Sequence, residues 1–264
     1  MTADATGTDA ADTDDPGTDA TELALDRGLP GGIAVSRLRV YDWEASDGLR
    51  GGSPHLHTAS TEGYVVVGGH GEVQTLGSRG VESTPLEPGT IAWFTPGTVH
   101  RLINSDGRLD IVTLMSNAGL PEAGDAVLTF PLEVLSDAER YLEHAVLPAT
   151  DDPIRLESAA RERRDLALAG FAELCERAAT DLPGTLRELN TAAAVLVAPR
   201  IPQWQRIVTD GPTAQTDATI AALTQLAQGS AVSLEAAGIR AIQPEPVERW
   251  GMCGRLTVWK SAAH

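Results

Sequence analysis

Short runs of aliphatic and aromatic residues, interrupted repeatedly by glycine and proline, are the feature of residues 32–118 that most limits how this chain can fold. Gly68–Gly71 predicts a hairpin turn, and Pro88-Gly89 and Pro96-Gly97 predict two further turns. The candidate strands are Ile33–Trp43, His55–His57, Gly63–Val67, Glu72–Thr75, Ile91–Phe94, Val99–Asn104 and Asp110–Met115. Many short strands with such punctuation predict an antiparallel sandwich or barrel.

After about Phe130 the pattern becomes helical. Ser136–Glu139 matches a capping box, and Asp152-Pro153 resembles an N-cap followed by proline at the first helical position. Later helices are predicted around Phe171, Leu174, Cys175 and Ala178, ended by Pro183-Gly184, and then over Leu186–Val197 and Thr216–Gln228. Near the end, residues 255–259 alternate polar and apolar. They predict a strand that either rejoins the barrel as an edge or pairs within the C-terminal region.

The charge distribution excludes several classes of partner. The net charge is −17, and the first 26 residues hold eight acidic and no basic side chains. Residues 1–20 have almost no bulky side chain, so we expect a disordered acidic tail. Binding to nucleic acid or to an anionic membrane needs clustered lysine and arginine, which this chain lacks, so we expect neither partner.

No apolar run approaches the roughly 20 residues that a membrane-spanning helix needs. The N-terminus has neither the positive start nor the apolar centre of a secretory signal, so we expect a cytoplasmic protein. The two cysteines, Cys175 and Cys253, are too few for a disulfide scaffold, and neither is assigned a role.

A set of histidines and one glutamate carries the chemistry. His55 and His57 flank one residue of a candidate strand, so their side chains point to the same face. Glu62 begins the next apolar run, and His100 lies near the start of a later strand. Three imidazoles and one carboxylate suit a divalent first-row metal, provided that a folded barrel brings the strands together.

The order and spacing of these residues resemble the two motifs of the cupin superfamily. Gly51, His55-Leu56-His57, Glu62 and Gly69 are similar to the first motif, and Gly89, Gly97, His100 and Asn104 to the second. Thr95 stands where the family often has proline, and the proline follows at Pro96. The resemblance covers roughly residues 32–118, less than half of the chain.

The resemblance implies a mainly β fold, a jelly-roll-like antiparallel cupin barrel, with an added α-helical C-terminal region. We expect a tail at 1–20, the barrel at 21–130, a helical region at 131–251 and a C-terminal strand and tail at 252–264. It also implies one divalent ion (iron, manganese, nickel, zinc, cobalt or copper) held by His55, His57, Glu62 and His100. Because cupins commonly associate through sheet edges, it implies a homodimer.

Strand alternation extends the prediction to neighbouring side chains. If Glu62 faces inward, Tyr64 does too, and its hydroxyl either reaches a metal-bound substrate or bonds to the backbone in the core. Glu62 itself is a second catalytic candidate, as a base. His70, His144 and His264 are expected at the surface. One of Trp93 and Phe94 faces inward.

The reaction type stays open between three alternatives. The first, which we favour, is a dioxygenase acting on a small oxygenated molecule such as a diol, enol or hydroxyketone. The second is an isomerase, epimerase or lyase acting on a sugar-like substrate with a nearby base. The third is a barrel that binds a small molecule without catalysis. The helical region either covers one mouth of the barrel and shapes the pocket or forms a dimer interface.

Overall fold

The computed structural model describes residues 28–235 and 237–259. The acidic tail predicted at 1–20 and His264 lie outside these residues. The described strands are β1 (Ala34–Val40), β2 (His55–His57), β3 (Glu62–Gly68), β4 (Gly71–Gly77), β5 (Gly80–Leu86), β6 (Ile91–Phe94), β7 (Val99–Asn104), β8 (Asp110–Met115), β9 (Ala126–Leu128), β10 (Arg249–Trp250) and β11 (Gly254–Val258).

The strands form two antiparallel sheets. One has the order β10-β11-β1-β8-β3-β6 and the other the order β5-β4-β7-β2-β9. Inward side chains of both sheets meet in a core cluster that includes Leu38, Tyr64, Val66, Leu102 and Ile111. Burying these apolar side chains is the main force that holds the sheets together. This architecture confirms the predicted jelly-roll-like barrel with a helical C-terminal region.

Most of the predicted strands have the observed bounds, within one or two residues for the central ones. Three strands were missed: β5, β9 and β10, which has only two residues. β5 is an edge strand whose residues are mostly exposed and include Pro85, so it lacks the alternation of a half-buried strand. β9 has only three residues and exists because it pairs with β2, which local sequence cannot reveal.

The turn at Gly68–Gly71 is not a hairpin, contrary to the prediction. β3 belongs to the six-stranded sheet and β4 to the five-stranded one, so this turn carries the chain from one sheet to the other. The hairpin lies one strand later, where β4 and β5 pair and Gly77 faces Gly80. Glycine composition identifies a turn but does not identify which strands it joins.

Gly51 shows why the first motif begins with glycine. Its backbone has φ +150°, and a Cβ built there would lie 2.0 Å from the carbonyl oxygen of Leu102 on β7. The segment before β2 therefore lies directly against β7, and only glycine permits this approach.

The helices are α1 (Leu132–Leu135), α2 (Ala138–Ala145), α3 (Pro153–Val197), α4 (Ile201–Val208), α5 (Ala214–Ala227) and α6 (Val232–Glu235). The cap of α2 is Asp137, one residue after the predicted Ser136, because its carboxylate accepts the amide protons of Glu139 and Arg140. Asp152 caps α3 as predicted. Asp181 interrupts α3 with φ −141°, two residues before Pro183, which explains the predicted break there.

Within the described part of the chain, no helix has the length and apolarity needed to cross a membrane.

The helical region packs on the outer face of the five-stranded sheet. Leu56, Val127 and Leu128 of that sheet share a second core cluster with helical residues such as Phe171 and Leu189. Trp204 is buried in this cluster, and its indole N–H donates to the carbonyl of Ala123. The last strand, β11, pairs with both β1 and β10, so it joins the barrel sheet. The domain boundaries remain a prediction.

Candidate metal centre

The four predicted ligands meet inside the barrel. His55 and His57 lie on β2, Glu62 is the first residue of β3, and His100 lies on β7 directly opposite His55. All four are buried, and one possible ligand atom from each lies within 4.8 Å of every other. The alternation of β2 and the pairing of β2 with β7 place these side chains on one inward face, as the sequence predicted.

Hydrogen bonds fix the tautomers of His55 and His100 and orient the ring of His57. Nδ1 of His55 lies 3.0 Å from the carbonyl oxygen of Ser53, and Nδ1 of His100 lies 3.1 Å from that of Thr98. Nδ1 of His57 lies 2.7 Å from Oδ1 of Asp125. A carbonyl oxygen can only accept, so Nδ1 of His55 and His100 carries the proton and Nε2 presents a lone pair.

Nε2 of each histidine and Oε2 of Glu62 point toward one another. Nε2 of His100 lies 3.1 Å from Nε2 of His55 and 3.1 Å from Oε2 of Glu62, which lies 3.3 Å from Nε2 of His57. Oε2 of Glu62 is buried without a hydrogen-bond partner. The Nε2 lone pair of His100 lies against the lone pairs of both His55 Nε2 and Glu62 Oε2, and these repel unless a cation lies among them. This buried set of three imidazoles and one carboxylate could therefore bind a divalent transition metal, whose identity the donor set does not select.

A cavity of about 250 Å³ extends from this cluster. Its wall is mostly apolar, with a hydroxyl pair in which Ser36 Oγ and Thr113 Oγ1 lie 2.5 Å apart. The lining residues are Ser36, Leu38, His55, His57, Glu62, Thr113, Met115, Pro121, Ala126, Arg163, Trp250, Gly251, Met252, Cys253 and Leu256. A cavity of this size and composition suits a small organic ligand.

A sequence model of the cupin domain matches residues 45–115, which include all four of these side chains. These residues form a cupin domain. No curated protein is recognisably similar in sequence to the chain.

Several solved structures resemble the barrel at low identity. A conserved protein of Klebsiella pneumoniae with a double-stranded β-helix domain is 21% identical, with 32% of this chain and 64% of that one covered and a TM-score of 0.25. Streptomyces Pac13, described as a nucleoside dehydratase and solved with uridine, is 19% identical over 34% and 62% of the two chains, with a TM-score of 0.26. The DMSP lyase DddQ of Ruegeria pomeroyi is 17% identical over 33% and 39%, with a TM-score of 0.26. The matches span less than two thirds of each of these structures, and likenesses this distant carry no inference about substrate.

The C-terminal part of the chain contributes to the cavity of the cupin barrel. Arg163 of α3 and the segment Trp250–Cys253 form one side of it. Sγ of Cys253 lies 3.8 Å from the carbonyl oxygen of Ser53 and 3.9 Å from Nδ1 of His55. Sequence analysis assigned no role to Arg163 or Cys253, because nothing local in the sequence shows that these segments return to the barrel.

The structure also shows where the neighbouring side chains lie. Tyr64 faces inward with 1% of its surface exposed and packs edge-on against Phe94, while Trp93 is 71% exposed. Asn104 fastens the turn before β8 by accepting the amide proton of Leu109 and donating to the carbonyl of Val40. The exposed ring of His70 lies 3.4 Å from Asp106, at the surface.

Asp125 is the site residue that sequence analysis missed. Its buried carboxylate accepts from His57 Nδ1 and, at 2.9 Å, from the amide of Ser60. Burial alone would raise the pKa of this carboxyl, but the hydrogen bonds from His57 and Ser60 hold it below its usual value. Asp125 lies outside both histidine motifs, just before β9, so its spacing gave no signal.

Replacement of Asp125 by asparagine is expected to weaken metal binding by roughly 10–100-fold, the usual effect of losing a charged partner of a histidine ligand. The isosteric amide can still accept from Nδ1 of His57 through its oxygen, but it removes the charge that raises the basicity of His57 and the hydrogen bond from the amide of Ser60. Competition against a chelator of known affinity measures the effect, with Asp106→Asn at the surface as control. An unchanged affinity in Asp125→Asn would show that the carboxylate does not support the site.

Metal binding is expected to release a proton from the site and to tighten as pH rises from 7 to 9. Burial lowers the pKa of His57, but its hydrogen bond to Asp125 and the negative charge of the adjacent Glu62 carboxylate outweigh it and raise this pKa to about 10. His57 is therefore protonated below that pH, and an ion must displace the proton from Nε2. Calorimetry in two buffers of different ionisation enthalpy measures the release. An affinity independent of pH in this range would show that His57 is already neutral at pH 7 and that its pKa is not raised.

Proposed function

We propose that this cupin is a mononuclear metal-dependent enzyme acting on a small oxygenated organic molecule, with His55, His57, Glu62 and His100 as the metal ligands. One observation carries the proposal: imidazole lone pairs and the orphaned Oε2 of Glu62 converge at one end of an apolar cavity. A bound ion would supply Lewis acidity there and lower the pKa of a coordinated hydroxyl or enol group.

The chain's own groups bind, orient and exclude water. The outward hydrogen bonds of Nδ1 hold the three rings so that each Nε2 faces the other ligand atoms of the cluster. Apolar side chains such as Leu38, Met115 and Leu256 form much of the wall and keep bulk water from a bound anion. The hydroxyl of Thr113 donates to the carbonyl of Ser36, and that of Ser36 donates to Thr113, so their oxygens can accept a hydrogen bond from a substrate hydroxyl.

For the reaction we propose a dioxygenase, in which both atoms of O₂ enter the bound organic anion. Outside the ligand set, the titratable side chains among the described lining residues are Arg163 and Cys253. Arg163 is a cation, and burial strongly raises the pKa of the Cys253 thiol, so neither is a base at neutral pH. An isomerase, epimerase or lyase has to move a proton through such a base. In that alternative Glu62 would serve as the base while lying against Nε2 of both His57 and His100.

Tyr64 is kept as a second catalytic candidate beside Glu62. Its ring centroid lies 6.5 Å from that of His100, within the core cluster of the barrel. A Tyr64→Phe variant with full metal content separates the two roles of this residue. Loss of turnover would assign the hydroxyl to the reaction, and unchanged turnover would assign the ring to packing.

Oxygen uptake by the metal-loaded protein, with a panel of diols, enols and hydroxyketones, tests the reaction. We expect substrate-dependent oxygen consumption with iron, manganese, nickel or copper that is lost in His100→Ala. Product formed from one of these substrates without oxygen uptake would replace the dioxygenase by an isomerase or lyase. Ligand binding without any product would identify a non-catalytic binding cupin.

We further propose a homodimer that forms through the outer face of β3 and β6. Three large apolar side chains are exposed there, Val67, Ile91 and Trp93, and β6 is an edge strand. Exposed apolar groups of this kind favour association. Light scattering should report a dimer for the native chain and a monomer for Trp93→Asp. A native monomer would refute the proposal.

A further inference from the structure

Arg163 is a buried cation in the wall of the cavity. It lies on α3, only 8% of its surface is exposed, and it lines the same cavity as His55, His57 and Glu62. Its Nη1 donates to the carbonyl of Ala145 at 3.2 Å, and its Nη2 donates to that of Gly251 at 2.8 Å. Both acceptors are neutral, so these bonds hold the guanidinium in place without compensating its charge.

The other buried arginines differ from Arg163 in this respect. Arg101 is paired with Asp47, and Arg164 with Asp165 at 2.9 Å. Within the residues that the structure describes, no carboxylate forms an ion pair with Arg163. The groups that interact with it electrostatically are Tyr41, Cys253 and Tyr141, and burial raises the pKa of each, so all are neutral at pH 7.

Burying a charge without a counter-charge costs free energy. An unpaired cation in the wall of a cavity therefore indicates an anionic ligand. A guanidinium carries five N–H groups, of which two donate to the carbonyls described above. Nε of Arg163 is buried and makes no hydrogen bond, so the donors left for a ligand are the second N–H groups of Nη1 and Nη2. These two groups suit a planar anion such as a carboxylate.

We propose that Arg163 binds a carboxylate of the substrate while an oxygen donor elsewhere in the same molecule binds at the His55, His57, Glu62 and His100 centre. This inference rests on the proposed metal-dependent function and adds the class of substrate: a small organic acid with a hydroxyl, enol or oxo group. The volume of about 250 Å³ limits the molecule to a short chain, and the apolar wall suits the carbons between its two ends.

The charges of the site agree with an anionic ligand. A divalent ion together with Arg163 outweighs the carboxylates of Glu62 and Asp125, so the loaded site carries excess positive charge in an apolar enclosure. Such a site attracts an anion and discriminates against its neutral isostere.

Monohydroxamates of the dicarboxylic acids from malonate to adipate, together with their terminal amides, test the proposal. The hydroxamate is a bidentate oxygen ligand for the metal, and the series places a carboxylate or an amide at increasing distance from it. Acetohydroxamate, which has neither group, measures the metal centre alone. Binding to the cobalt(II)-loaded full chain is followed by the visible spectrum and by calorimetry.

We expect acetohydroxamate to bind, and the best acid of the series to bind about 10-fold or more tightly than its amide, the usual strength of a charge-assisted hydrogen bond. In Arg163→Gln this ratio should fall toward one, while acetohydroxamate still binds and loses no more affinity than the amides do. Arg161→Gln is the matched control: it removes a cation from the same helix, one that lies over the Trp43 ring and outside the cavity wall.

Each failure has a different meaning. If acetohydroxamate does not bind, the metal centre fails and the inference falls with it. If acetohydroxamate binds but the native protein gains nothing from a carboxylate at any length, Arg163 has no such role and the metal centre stands. If the acid still binds more tightly than its amide in Arg163→Gln, the charge of the metal ion and not Arg163 accounts for the difference. Because the native protein alone can refute the proposal, it stays falsifiable even if Arg163→Gln does not fold, and Arg163→Lys then serves as the charge-conserving variant.

Discussion

His57→Ala and His100→Ala should each abolish stoichiometric metal binding. Each change removes one of the Nε2 lone pairs that lie about 3 Å from Oε2 of Glu62. Removing a hydrogen-bond partner of a ligand lowers the metal affinity roughly 10–100-fold. Removing a ligand itself should lower the affinity by more than this. Equilibrium dialysis followed by elemental analysis measures the metal retained by each variant.

His70→Ala is the matched control for these two variants. His70 is also a histidine of the barrel, but it lies in an exposed turn beside Asp106, away from the cluster. We expect it to retain full metal content. A full equivalent retained by His57→Ala or His100→Ala would refute the ligand assignment, and metal lost by His70→Ala would show that the turn lies closer to the site than described here.

Gly170→Ala should destabilise the whole chain, although alanine is the better helix former by about 1 kcal/mol. Gly170 lies within α3 where the helix crosses the end of β9. A Cβ there would lie 2.2 Å from the carbonyl oxygen of Thr129 and 2.3 Å from the carbonyl carbon of Phe130. Backbone atoms cannot rotate away, so overpacking of about 1–3 kcal/mol or more outweighs the gain in propensity.

Urea denaturation of the full chain measures this effect as a lower midpoint. Gly211→Ala is the control, since it makes the same change in the π-helical segment Thr209–Thr213 between α4 and α5, where nothing lies within 4 Å of the added methyl group. We expect that variant to be neutral or stabilised by about 0.4–1 kcal/mol. If Gly170→Ala is equally harmless, the helical region does not pack on the barrel as described.

The barrel and its ligand cluster could be predicted because their signals are local. Side-chain alternation puts His55 and His57 on one face, and glycine and proline separate the strands on which Glu62 and His100 lie. These features depend on neighbours within a few residues. The cupin motifs add the long-range statement that the strands close into one barrel.

The remaining parts of the site depend on contacts between distant segments. Asp125 reaches His57 only because β9 pairs with β2, and Cys253 reaches His55 only because β11 returns to pair with β1. Arg163 faces the cavity because a helix that could have packed on any apolar surface docks against this end of the barrel. Neither periodicity nor composition encodes such choices, which also explains why the turn at Gly68–Gly71 was wrongly predicted as a hairpin.

The metal content of the purified full-length chain, before and after anaerobic reconstitution, tests the central claim most directly. Elemental analysis after extensive dialysis should find close to one tightly bound divalent transition metal ion per chain, removed by a strong chelator and restored by the ion alone. A chain that binds no ion under any of these conditions, while circular dichroism shows it folded, would contradict the proposed metal centre at His55, His57, Glu62 and His100.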